Sequence, residues 1–124
     1  MKKSYFILVV AVACLISCNK ESTQKDQTML RHIVLFSFND DLPSGEIKDI
    51  ETAFVNLPSQ IKEIKDFEWG TELNPKKEYS HCFVLSFESE KDMSAYGAHP
   101  AHKQFGEMVK GKTKAISIVD YWEK

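Results

Sequence analysis

Two of the four histidines in this 124-residue chain lie three residues apart, at His99 and His102. They flank Pro100, and Tyr96 lies three residues before the first of them. A neutral imidazole with a pKa of about 6.5 accepts a proton close to neutral pH. The motif is therefore a candidate for general base catalysis.

Two other interpretations of this motif have to be weighed. A metal site is disfavoured, because His99 and His102 lack the i, i+4 spacing that puts two ligands on one helix face, and no thiolate pair or carboxylate cluster accompanies them. Pro100 suits the first turn of a helix, where its missing N–H costs nothing. The motif is thus also typical of a helix start, with His99 as cap and His102 hydrogen-bonded to the backbone.

The elements that would position these residues follow from the hydrophobic pattern. Strands are predicted over residues 30–38, 67–73, 79–88 and 115–122. Three helices are predicted. The first runs from Ser44, as its cap, to Pro58, the second begins after Ser89, and the third runs from Pro100 to Gly111. The order β-α-β-β-α-α-β predicts a ferredoxin-like α+β subunit with one antiparallel sheet and helices on one face.

Strand alternation predicts which side chains face the helices, because residues two apart share a face. That side is expected to carry His32, Phe36 and Phe38 from the first strand and His81, Phe83 and Phe87 from the third. Phe54 and Met93 would meet them from the helices. A pocket there would gather three imidazoles, a phenol and several phenylalanine rings, which suits a hydrophobic or phenolic ligand.

The opposite face of the sheet is also apolar, with Ile33 and Leu35 on the first strand and Cys82 and Val84 on the third. An antiparallel sheet that keeps one side wet normally shows polar residues there. We therefore predict a homodimer, in which a second copy covers this face, sheet against sheet.

The first 28 residues are unlike the rest. Lys2 and Lys3 precede an apolar run that ends in Leu15-Ile16-Ser17-Cys18, which resembles the lipobox of bacterial lipoproteins. The resemblance implies that residues 1–17 are removed and that Cys18 is lipidated. Residues 19–28 contain no apolar residue, which is typical of a flexible tether, so residues 18–28 are expected to link the lipid to a domain of residues 29–124. The domain would then be held on a membrane of the bacterial cell envelope, outside the cytoplasm. An ordinary signal peptide that ends near a cysteine is the alternative.

The charge and the cysteine content of this domain indicate which kinds of partner and cross-link to expect. Loss of residues 1–17 leaves 14 basic against 18 acidic residues, without a basic stripe, so nucleic acid is not expected as a partner. Cys82 would be the remaining thiol, which excludes an intrachain disulfide, and its place in an apolar run is typical of a small buried residue.

Four separated motifs resemble those of the stress-responsive dimeric α/β barrel family, called Dabb: RHIVLF at 31–36, HCFVLSFES at 81–89, YGAHPAHKQF at 96–105 and IVDY at 118–121. The resemblance implies a ferredoxin-like subunit and a dimer whose two sheets form a closed barrel. A few members of the family are cofactor-independent polyketide cyclases. Their catalytic roles would fall on His102 as general base and Tyr96 as its partner, with His32 and His81 as pocket support. One cyclase carries a tyrosine where this chain has Phe54.

Three functions remain open at this stage. The first is a binding protein for a small hydrophobic or aromatic molecule, without turnover. The second is a cofactor-free cyclase or lyase that uses His102. The third is a non-catalytic dimeric scaffold, its pocket filled by its own side chains. Export favours the first, because polyketide-type thioesters are made in the cytoplasm.

Overall fold

The computed structural model of the protein describes residues 28–124. The predictions for the export segment, for Cys18 and for the tether up to residue 27 lie outside the described residues. Eight elements follow in order: β1 (Leu30–Phe38), α1 (Ser44–Val55), α2 (Leu57–Gln60), β2 (Asp66–Thr71), β3 (His81–Phe87), α3 (Glu90–Ala98), α4 (Pro100–Val109) and β4 (Thr113–Trp122). Within this range no helix is long and apolar enough to cross a membrane.

The four strands form one antiparallel sheet in the order β2-β3-β1-β4. The central strand β1 pairs with β3 on one side and with β4 on the other, so the first and last strands of the domain are neighbours. This arrangement confirms the ferredoxin-like α+β fold. The four-residue helix α2 is an addition to the predicted order.

Two predicted helix boundaries are corrected. Ser44 is the first residue of α1 rather than its cap, because Pro43 occupies the cap position without a side-chain hydrogen bond. Pro58 does not end α1, which stops at Val55, but lies in the first turn of α2. A proline there is tolerated because the first N–H groups of a helix have no intrahelical partner.

The junction between α3 and α4 follows the predicted capping pattern. Ser89 Oγ accepts a hydrogen bond from the Asp92 N–H at 3.1 Å and starts α3. His99 Nδ1 accepts one from the Ala101 N–H at 3.1 Å, and Pro100 is the first residue of α4. The two helices are therefore separated by one extended residue, which fixes the side chains of both near each other.

The space between sheet and helices is filled by aromatic rings. Phe83 of β3 stacks on Phe54 of α1 with ring centroids 3.9 Å apart, and on Phe36 of β1 at 5.3 Å. Phe105 of α4 meets Phe54 edge to face at 4.8 Å. These contacts form the hydrophobic core of the domain.

Arg31 joins three strands on the outer face of the sheet, which is the face opposite the helices. Its Nε donates to Glu123 Oε1 at 2.7 Å and its Nη1 to Ser86 Oγ at 2.5 Å, so one guanidinium on β1 holds β3 and the end of β4. The hydrogen bond from Arg31 lowers the pKa of Glu123 below its usual value. A depressed carboxyl pKa stabilises the fold above the ordinary pKa of glutamate, and this contribution is lost as the pH falls through the depressed value.

We expect Arg31→Met to lower the melting temperature at neutral pH, and the difference from wild type to shrink as the pH falls below about 4. Lys114→Met is the matched control, since its ion pair with Asp40 is solvent-exposed and should contribute little. Thermal unfolding followed by circular dichroism across that pH range measures both. An Arg31→Met deficit that is the same at every pH would contradict a role for the Glu123 carboxylate.

Candidate functional site

The helices leave part of the sheet's helix-facing side uncovered, along β4. Ile116 and Ile118 pair with the buried residues Phe36 and Val34, and so lie on that side. They are nevertheless 58% and 54% exposed. Two adjacent isoleucines that open to solvent beside a buried core form an apolar surface that a ligand can cover.

A histidine–carboxylate pair lies at one end of this surface. His32 of β1 is buried and is paired in register with Asp120 of β4. His32 Nδ1 lies 2.6 Å from Asp120 Oδ1. Since an ionised carboxylate only accepts hydrogen bonds, Nδ1 is the donor, and Asp120 thereby fixes the tautomer and orientation of the ring.

Tyr96 of α3 and His102 of α4 lie beside the His32–Asp120 pair, at the same end of the apolar surface. The buried Tyr96 ring lies 5.7 Å from the His32 ring and 4.3 Å from the His102 ring, centroid to centroid. His102 Nδ1 donates to the Gly97 carbonyl at 3.2 Å. The Nε2 atom of His102 therefore keeps its lone pair and can accept a proton.

Burial favours the neutral form of both side chains. Burial lowers the pKa of His102, and the neighbouring His32 lowers it further, against the opposing effect of the Gly97 carbonyl. Burial also raises the pKa of Tyr96. At neutral pH the site thus holds a neutral imidazole that can accept a proton and a neutral phenol that can donate a hydrogen bond.

We call this region the β4 site, defined by Ile116, Ile118, His32, Tyr96, His102 and Asp120. Its chemistry suits a molecule with an apolar body and a carbonyl or phenol group. The polar group would meet Tyr96 and His102, and the apolar body would lie over the two isoleucines.

His81 lies apart from the β4 site. Its Nε2 is 2.9 Å from Glu51 Oε1 and its Nδ1 is 2.7 Å from Ser80 Oγ. It pairs in register with Phe36, four residues along β1 from His32, which is about 13 Å of strand. The structure therefore brings together three of the predicted residues, His32, Tyr96 and His102, and excludes the fourth.

The apolar residues predicted to bind a ligand form the core instead. Phe36, Phe38, Phe54, Phe83 and Phe87 are buried against one another, and Met93 packs beside them. Neither of the two cavities described below is lined by any of these six residues.

Two cavities lie elsewhere on the domain. The larger, about 640 Å³, is on the outer face of the sheet, near Leu35, Cys82 and the β2–β3 connection. The smaller, about 380 Å³, lies between α1, α2 and α4. In residues 28–124 no group of three or more histidine, cysteine, aspartate or glutamate side chains is arranged to hold a metal ion.

Ile116, Ile118 and Asp120 were not predicted from the sequence to belong to the site. The alternation of β4 does place them on one face. The alternation does not show that β4 pairs with β1, and it is this pairing that places Asp120 opposite His32.

The sequence model of the protein family called stress responsive A/B barrel domain matches residues 30–123 of this chain. The chain belongs to this family. A stress-response A/B barrel domain-containing protein of Arabidopsis thaliana, HS1, is 32% identical over 95 residues, 74% of this chain and 87% of that protein. Olivetolic acid cyclase of Cannabis sativa is 30% identical over 95 residues, 74% of this chain and 94% of the cyclase.

Solved structures support the fold. A dimeric protein of unknown function and ferredoxin-like fold from Bacteroides fragilis has a TM-score of 0.64 and 30% identity, over 75% of this chain and 94% of that one. Hydroxynitrile lyase from Passiflora edulis has a TM-score of 0.74 at 23% identity, over 79% of this chain and 95% of the lyase. The similarity to the lyase shows the fold alone.

Proposed function

We propose that this Dabb domain binds a small hydrophobic or aromatic molecule at the β4 site. The observation that carries the proposal is the exposure of Ile116 and Ile118 beside a polar cluster in which His32 and Tyr96 are buried and His32 is hydrogen-bonded to Asp120. Covering apolar surface contributes about 25 cal/mol per Å². The polar cluster then fixes the orientation of the ligand.

Thermal unfolding of the chain from Met29 onward, against phenolic, fatty and terpenoid compounds, tests this proposal. We expect at least one compound class to raise the melting temperature. Ile118→Glu should remove the shift, because it places a charge where the apolar body lies. Leu73→Glu is the matched control, since Leu73 is 97% exposed and lies outside the site. No shift with any compound would contradict the proposal and favour the scaffold function.

A cofactor-independent lyase or cyclase is the second candidate. It is favoured by the free Nε2 of His102 and by the lowered pKa of that group. His102 would take a proton from a carbon next to a carbonyl, and Tyr96 would donate a hydrogen bond to the oxygen on which charge develops. Olivetolic acid cyclase among the relatives is consistent with such chemistry.

We also propose that the domain is a homodimer through the outer face of the sheet. Ile33, Leu35 and Val84 lie there, and Val119 and Tyr121 of β4 extend the same apolar surface. Related solved structures are described as dimeric. Sedimentation at micromolar concentration should give twice the chain mass, and Val84→Lys should give a folded monomer. A monomeric wild type would contradict this proposal.

Lipid anchoring through Cys18, outside the cytoplasm, is the remaining part of the proposal, and it is supported by the lipobox-like sequence alone. Mass spectrometry of the protein expressed from its full chain in bacteria should find a mature form that begins at an acylated Cys18. Cys18→Ser should abolish the added lipid mass. A mature chain that begins elsewhere, or carries no lipid, would contradict it.

A further inference from the structure

We infer that the domain rests on the lipid bilayer through the end of the sheet at Leu30 and Trp122, with Trp122 in the membrane interface. The inference depends on the proposed anchoring of Cys18. It adds an orientation that anchoring alone does not specify.

The chain enters the domain at the end of the sheet where Leu30 pairs with Trp122. Leu30 follows Cys18 by twelve positions, so the two residues lie at most about 40 Å apart along the chain. Leu30 pairs in register with Trp122, and the Glu123 N–H donates to the Met29 carbonyl at 3.0 Å. The C-terminal end of β4 is therefore adjacent to the point from which the lipid anchor reaches the membrane.

The surface at that end of the sheet carries an exposed tryptophan. Trp122 is 41% exposed and lies on the helix-facing side of β4, in line with Ile118 and Ile116. The proposed dimer covers the opposite face and leaves this line of side chains open. Tryptophan is enriched at the membrane–water interface, because its ring is apolar and its indole N–H is polar.

Charges near this end of the sheet are largely compensated by ion pairs. Arg31 pairs with Glu123 and Lys65 with Glu88, whereas Lys124 forms no ion pair among the described residues. Attachment through Cys18 also keeps the domain at a high local concentration beside the bilayer, so a weak contact suffices. A contact made by aromatic and aliphatic groups should then form on a zwitterionic membrane and need no anionic lipid.

This orientation has a consequence for the β4 site. Ile118 and Asp120 are next to Trp122 along the same face of β4. The apolar surface of the site would open beside the bilayer. A hydrophobic ligand could then pass between membrane and protein without crossing water.

The two tryptophans of the chain provide a matched experiment. Trp69 is 41% exposed, like Trp122, but lies on β2, the opposite edge strand of the sheet. The full lipidated chain is prepared as Trp69→Phe and as Trp122→Phe, each with one tryptophan. Each is reconstituted in phosphatidylcholine vesicles with and without brominated acyl chains, which quench tryptophan on contact. We expect brominated lipid to remove most of the emission of Trp122 and little of that of Trp69.

Vesicle flotation, measured on the same samples, separates the two proposals. Flotation with Trp122 unquenched, or with Trp69 quenched as strongly, overturns the orientation and leaves the anchoring intact. Failure to float, as expected for the control Cys18→Ser, overturns the anchoring and the orientation with it. If Trp69→Phe does not fold, the difference between wild type and Trp122→Phe gives the quenching of Trp122.

Discussion

Replacing Phe83 by alanine is expected to lower the free energy of unfolding by about 3–5 kcal/mol. The Phe83 ring is fully buried and stacks on Phe54, Phe36 and Trp69, with centroids 3.9, 5.3 and 5.4 Å away. It thereby joins β3 to helix α1 and to both neighbouring strands. Truncation would leave a cavity that these rings cannot close by small movements.

Urea denaturation measures this loss. Since domains of this size are stable by about 5–15 kcal/mol, the variant should be only marginally folded. Leu73→Ala is the control, because that side chain is almost fully exposed and should cost little. A loss below about 1 kcal/mol for Phe83→Ala would mean that this ring borders an open pocket instead of the packed core.

His102→Gln is expected to separate binding from catalysis at the β4 site. A binding protein loses at most one hydrogen bond to its ligand, about 1 kcal/mol, so the Kd should rise by less than about tenfold. An enzyme that uses His102 as general base should lose about 10²–10⁴ in rate. Isothermal titration and a turnover assay on the ligand found by thermal unfolding measure the two quantities.

The pH profile supplies a second readout of the same residue. A general base acts when it is neutral, so the rate should fall as the pH drops through the pKa of His102, which burial places below its ordinary 6.5. His99→Gln is the matched control, because His99 caps helix α4 and does not belong to the site. If His99→Gln lowered the rate as much as His102→Gln, the effect would lie in the helix start and not in the base.

Periodicity was enough to predict which residues share a face of the sheet. It placed His32 toward the helices and Ile33 away from them, and it identified the strands and the order of the major elements. Local rules also identified Ser89 as a cap, because a serine three residues before Asp92 can bond to its N–H. The same rules failed at Ser44, where the turn before the helix brings Pro43 to the cap position.

The periodicity of the sequence does not predict which residues of distant strands pair with each other. Alternation puts His32 and His81 on one face but does not say that His81 lies opposite Phe36, far from His32. Nor does a pattern of phenylalanines show whether their rings line a pocket or stack on each other, which depends on packing in three dimensions. For the same reason Asp120, the hydrogen-bond partner of His32, was found only in the structure.

The most direct test of ligand binding at the β4 site is the methyl NMR spectrum of the isoleucine-labelled domain, recorded with and without the ligand found by thermal unfolding. Binding at the β4 site should shift the methyl signals of Ile116 and Ile118, whereas those of Ile33 on the outer face and Ile50 in the core should stay unchanged. Shifts at Ile33 with none at Ile116 and Ile118 would place the ligand on the other side of the sheet and contradict the β4 site.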